Sequence, residues 1–237
     1  RFLAPLMEDA EKRAIALLLA CEPGASVALV ERAAAALDVS LAAVDVLQAD
    51  GRVGERGGRL QLIPAAVGPA LRSVVLTSER IAAHRALALA SGTSSHRQVW
   101  HAAQATTEPD DALAADLERS TEPAFRRGGA AAVSEIMERA AALSPDPDDR
   151  GRRLAGAAEM AWLAGNPERS RALLFTAQEQ SSALPLRTEV VYLRGSIELA
   201  SGSVDYAMTV LRDAAAERLG STMSRESATP LLIRAMD

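Results

Sequence analysis

AWLAGNPERSRALLFTAQ, residues 161–178, sets an apolar run against a Gly165-Asn166-Pro167 break and then a second run with small residues on one face. A single helical hairpin has this form, and so does one unit of a repeating array, so self-similarity along the chain decides between them. Gly165 has counterparts at Gly128 and Gly202, each 37 residues away. Five residues beyond the three glycines stand Val133, Ser170 and Ala207; nine beyond, Met137, Leu174 and Leu211; twelve beyond, Ala140, Ala177 and Ala214. On a helix these offsets form one stripe. Counting back, seven residues before each glycine are the small Thr121, Ala158 and Gly195; three before are the large Phe125, Trp162 and Leu199; eleven before are Leu117, Leu154 and Val191. Each unit is therefore expected to be two antiparallel helices whose small residues let neighbouring backbones approach closely.

Between about residues 114 and 220 this pattern resembles the tetratricopeptide repeat, with small residues early in its helices, a Gly-Asn turn and Pro145 near a unit's end. It departs from that family in its period of 37, in lacking the usual tyrosine of the first helix, and in carrying Ser182 and Leu219 where a closing proline is usual. The expected units are TPR-like and run over about 114–150, 151–187 and 188–224. A partial copy extends from Ile81 through LASG (89–92) to Trp100 and Ala103, with a turn one residue shorter. SATPLLIRAMD (227–237) offers Thr229 as an N-cap and Pro230 as the first helical residue, the start of a further unit. Arg1 in place of Met is read as the start of a piece cut from a longer protein, a start that a processed terminus would share.

The first seventy-odd residues lie outside the repeat. A helix is expected from about Leu6 to Ala20, ended by Pro23-Gly24; Ser26 caps a second, VALVERAAAAL, and Ser40 a third, LAAVDVLQAD. GRVGERGGRLQLI (51–63) then holds two short strands about Gly57-Gly58, a pair that supplies the positive φ of a tight hairpin. Three helices followed by a hairpin is the order of a winged helix, placed at residues 1–76, with the TPR-like helical domain at 77–237.

Composition agrees with a mainly all-α fold. Of 237 residues 49% are hydrophobic but only 3% aromatic, which favours thin, closely packed helices. The net charge of −5 gives no broad attraction to nucleic acid or anionic lipid. Residues 1–76 carry eight basic against nine acidic side chains, and the third helix holds Asp45 and Asp50 with no Arg or Lys, so DNA phosphates would repel it. Arg52, Arg56 and Arg59 on the hairpin are read as a solvated turn. One cysteine, Cys21, cannot form an internal disulfide; it reads as a core thiol and suits a reducing cytoplasm. No apolar stretch reaches the roughly 20 residues of a membrane span.

Catalytic constellations are not found. Lys12, the single lysine, has no glycine loop before it, which rules out a P-loop. His84, His96 and His101 are joined by no cysteine or carboxylate at a zinc spacing; His84 is read as a surface or half-buried residue, and His96 and His101 as lying on different faces. Asp110-Asp111 and Asp148-Asp149 fall at expected helix starts, where they complement the helix dipole. An enzyme is not expected, nor a metal or cofactor in this chain.

Three stretches carry a second resemblance: RSVVLTSERIAAHRALALASG (72–92), RQVWHAAQATTEPDDALAADLERS (97–120) and AAALSPDPDDRGRRLAGAAEMAWLAGNPERSRALL (140–174). Together they resemble the middle of the large ATP-binding LuxR-type transcriptional regulators, relatives of the maltose regulator. LIPAAVGPALRSVV (62–75) departs from the His-Pro-Leu segment usual there. The resemblance implies a cytoplasmic regulator with ATP bound only by an upstream domain and DNA only by a C-terminal one, both outside this chain. The winged helix would be a lever on the nucleotide domain, and the repeats would receive a small-molecule inducer or partner protein. By analogy with TPR grooves, the receiving face includes Glu118, Glu122, Arg152, Glu159, Tyr192 and Ser196. A protein-interaction scaffold without an ATPase and, more remotely, a helical enzyme are the alternatives, and self-association into a homo-oligomer is left open.

Overall fold

The computed structural model describes residues 3–93, 95–180, 184–200 and 204–220. Among these, thirteen helices and one small three-stranded sheet make up the regular structure. The chain divides into two compact units, residues 1–108 and 109–237.

In the first unit, α1 (Ala4–Glu8) and α2 (Ala10–Cys21) stand where one helix was expected. Asp9 divides them: its backbone is extended, and its side chain accepts hydrogen bonds from the N–H groups of Glu11 (2.9 Å) and Lys12 (3.1 Å). A short carboxylate that caps a new helix wins over continuation of the old one. Residues 15–20 of α2 are all buried, because AIALLLA is apolar on every side and packs centrally. β1 (Ala25–Ser26) follows, then α3 (Val27–Ala35), capped by Ser26, whose Oγ accepts from Leu29 N at 3.3 Å. Next come α4 (Ala42–Ala49), β2 (Val53–Arg56) and β3 (Arg59–Leu62).

The sheet order is β1-β3-β2, antiparallel throughout, with Val53 opposite Leu62, Arg56 opposite Arg59 and Ala25 opposite Leu60. Gly57 and Gly58 have φ of +59° and +72°, the doubly left-handed turn that matches strand twist. β1 has two residues, too few for alternation to register in the sequence. Leu60 and Leu62 face inward while Arg59 and Gln61 face solvent.

α5 (Val67–Val74), α6 (Thr77–Ala90) and α7 (His96–Ala105) complete the unit. α6 packs on α2, α3 and α7, and its Ala83, Ala86, Leu87 and Ala90 join the core that begins at Leu6. The compact unit therefore extends beyond residue 76, where the hairpin suggested an end, because a helix without an apolar partner cannot stand alone.

The second unit is helical. α8 (Asp111–Arg119), α9 (Thr121–Leu143), α10 (Pro147–Leu163), α11 (Pro167–Gln180), α12 (Leu184–Ala200) and α13 (Val204–Gly220) pack largely in sequence, neighbour on neighbour. Asp110 caps α8 by accepting from Leu113 N, and Asp146 caps α10 by accepting from Asp148 and Asp149 N. Much of the stripe deduced from spacing is internal: Val133, Ser170 and Ala207, Leu174 and Leu211, Ala140 and Ala177, Ala158 and Gly195 are buried. Two buried serines show how close the backbones come. Ser134 Oγ donates to Ala157 O at 2.9 Å, and Ser170 Oγ to Ala158 O at 2.7 Å.

The expected first unit differs in detail. Its leading helix breaks at Ser120, since Pro123 lacks an N–H for the carbonyl of Arg119 and its ring would strike it; starting α9 at Thr121 places that proline in the first turn. The break expected at Gly128 falls one residue later, at Gly129, where φ is +68° inside α9. Phe125, between the two breaks, is half exposed rather than a packing contact. Gly165 does turn the chain as expected, at φ +78°. Gly202, Ser182 and the apolar run after Thr229 lie outside the described residues.

Candidate functional site

Two polar clusters stand out, one in each unit. In the second unit the clustering begins with Arg153, which is 4% exposed on α10. Its Nε donates to Glu118 at 3.1 Å and its Nη1 to Asp111 at 3.3 Å and to Ser144 Oγ. Arg152 joins from the next position, donating to both Glu118 oxygens at 2.5 and 3.0 Å and lying 3.4 Å from Asp149. Hydrogen bonds from Arg152 first, and then Arg153, together with their charges, outweigh the opposing effect of burial and hold the Glu118 carboxyl down at about 2. The cluster fastens α8 to α10.

Of the six residues expected on a receiving face, the structure brings Glu118 and Arg152 into direct contact. Tyr192 and Ser196 lie one turn apart, with Ser196 Oγ donating to Tyr192 O at 3.0 Å, and Tyr192 packs beside the Leu211 and Ala215 cluster. Glu122 and Glu159 are exposed on different helices, and Glu122 pairs with Arg126 at 3.4 Å on its own helix. Arg153 is not legible in the sequence, because a buried guanidinium leaves no mark on hydrophobic periodicity.

The first unit holds the other cluster. His84 on α6 and His101 on α7 are 7% and 0% exposed, and their Nδ1 atoms stand 2.9 Å apart. The imidazole rings are tilted 42° to each other. His101 Nε2 lies 3.2 Å from one oxygen of Glu22, whose other oxygen accepts from Arg97 Nε at 2.6 Å. Burial would raise the Glu22 carboxyl, but hydrogen bonding from His101 and the nearby Arg97 charge prevail and hold it below its ordinary value. The expectation of a surface or half-buried His84 is thus corrected: where α6 packs against α7, the His84 and His101 rings meet and are both buried. Sequence spacing could not show this, because Glu22 lies 79 residues before His101 and no local pattern links them.

An open groove of about 460 Å³ flanks the same helix pair, lined among others by Arg85, Ala88, Leu89, Gln98, Ala102 and Thr106. Ala88 stands one turn after His84, and Gln98 about one turn before His101. The thiol of Cys21 packs against the core, and burial pushes it up to about 11, so it is protonated at neutral pH. Among the described residues, no three or more His, Cys, Asp or Glu side chains are grouped to hold a metal ion, and no helix is long and apolar enough to cross a membrane. Comparison of the chain with known protein families, with curated proteins and with solved structures finds no match.

Proposed function

We propose that this chain is the regulatory middle segment of a LuxR-type transcriptional regulator, in which a helical array receives an inducer or partner protein and passes the event to a nucleotide-binding domain. The observation that carries this reading is the succession of two unlike parts. A helix-strand-helix-helix-hairpin order, α2-β1-α3-α4-β2-β3 with sheet order β1-β3-β2, supports a winged helix. Helices whose buried small residues recur every 37 positions follow it and support a TPR-like array. The three stretches that resemble the regulator family span both parts.

In this reading the winged helix is a lever and not a DNA reader. α4, which would enter a major groove, carries Asp45 and is followed by Asp50 at its C-cap, and Asp50 pairs with the lone lysine, Lys12, at 3.5 Å. An effector acts by binding one conformation of the array more tightly than another, since equal affinity for both would shift nothing. A thermal-shift screen of the chain against sugars, nucleotides and small metabolites tests this. A saturable, concentration-dependent rise with one metabolite class, and none with ATP, is the expected outcome. If no compound shifts melting, the inducer reading fails, and a peptide-binding scaffold takes its place.

A further inference from the structure

We propose that His84 and His101 form a one-proton latch that holds α7 against α6 and opens when both imidazoles become charged. The inference stands on geometry in the first unit and is independent of the regulatory reading above.

At 2.9 Å the two Nδ1 atoms are at hydrogen-bonding distance, so one hydrogen lies between them, donated by one ring and accepted by the other. The neutral pair satisfies this. A single added proton also does: one ring is then an imidazolium donating through Nδ1, the other is neutral and accepts, and Glu22 balances the charge 3.2 Å from His101 Nε2. A second added proton does not, because both Nδ1 atoms then carry hydrogens. The bond is lost, two cations face each other in a buried interface, and the rings must separate.

Glu22, at the end of α2, contacts His101, and it is already engaged by Arg97 of α7 at 2.6 Å. The other charged groups on the elements packed here are mostly cations. α3 supplies the exposed Glu31 and Arg32, whose Nε donates to Ala90 O at 3.0 Å; α5 supplies Arg72, which donates to Ala20 O; α6 carries Arg80 and Arg85; and α7 carries His96. Glu79 at the start of α6 is taken by Arg13 of α2 at 3.0 Å.

Well below the ordinary imidazole value of about 6.5, the unfolded chain holds a proton on each of the two rings in excess of neutrality, and the latched pair holds one. Opening therefore takes up one proton, and stability is lost as pH falls. Its contribution is a roughly tenfold drop in the folding equilibrium constant per pH unit below about pH 6.

The test uses the full chain with Trp162→Phe, which leaves Trp100 on α7 as the sole tryptophan. Urea unfolding followed by Trp100 fluorescence is measured from pH 8 to 5, with and without His84→Gln. Glutamine can still bond His101 but cannot add a charge. The expected result is a folding constant that falls about tenfold more per pH unit between pH 6 and 5 in the His84 protein than in the glutamine variant. Equal slopes, or a steeper one in the variant, overturn the proposal. If His84→Gln does not fold, His101→Gln takes its place with the same criterion. Amide exchange at pH 5.2 locates the event: loss of protection in α7 ahead of α2 is expected, and simultaneous loss in both would overturn a local latch.

Discussion

Arg153 is a cation in a place where its neighbours Leu154, Ala155, Ala157 and Ala158 are all core. It is tolerated there because Glu118, Asp111 and Ser144 between them engage its donors. Removing it strands Glu118 half-buried with Arg152 alone, so Arg153→Met should cost about 2 to 3 kcal/mol, less than a fully buried pair because Asp111 is exposed. Urea unfolding read at Trp162, in the same unit, measures this. Glu118 also makes the unit acid-sensitive. Its folded value of about 2 lies below the unfolded one, so it stabilises the fold above about pH 4.5, and this contribution drains away as pH falls toward 2. Allowing for solvent screening of a partly exposed cluster, the loss is about 1 to 2 kcal/mol, and Glu118→Gln should flatten the stability profile across that window. At this scale little could be read beforehand. Glu118 and Arg152 were both singled out, but as a receiving face; partners 34 residues apart become visible as an internal clamp only once α8 lies against α10.

At the scale of elements, two glycines inside helices make opposite cases. Gly195 on α12 is buried, and a Cβ there would lie 2.5 to 2.6 Å from Cδ2 and Cγ of Leu211, itself fully buried on α13. Gly195→Ala should therefore destabilise the second unit by about 1 to 3 kcal/mol despite its better helix propensity, and Leu211→Ala in the same chain should mask most of the added penalty. Gly156 on α10 meets only Met137 Cε, at 3.0 Å. The end of a methionine can swing aside, so Gly156→Ala should be neutral or stabilising by up to about 1 kcal/mol. Thermal melts of the three variants distinguish these outcomes. The same elements show where sequence spacing succeeds. The two helices of the unit about 151–187 were legible because size classes recur at fixed offsets around Gly165, and the hairpin because Gly57-Gly58 admits one tight turn. It failed at Ser120 and Gly129, since periodicity averages over a whole helix while Pro123 acts on one hydrogen bond.

For the whole molecule, the division at residue 108 carries the strongest consequence. The core that begins at Leu6 closes by Ala90, and among the described residues the cluster about α10 draws on residues 137–197, so each unit has an apolar interior of its own. The hairpin suggested a boundary at residue 76 because it closes a recognisable motif; packing carries the unit onward, since Ala83, Ala86 and Leu87 of α6 complete the core around α2 and α3. Residues 1–108 produced alone should accordingly fold, with Trp100 reporting a cooperative transition within about 1 kcal/mol of that seen in the Trp162→Phe full chain. Residues 1–76 alone should not, because they expose the faces of α2 and α3 that α6 covers. If the shorter fragment melts cooperatively and the longer gains nothing over it, α6 and α7 belong energetically with the helices that follow, and the buried Glu22, His101 and His84 cluster contributes nothing to holding the first unit together.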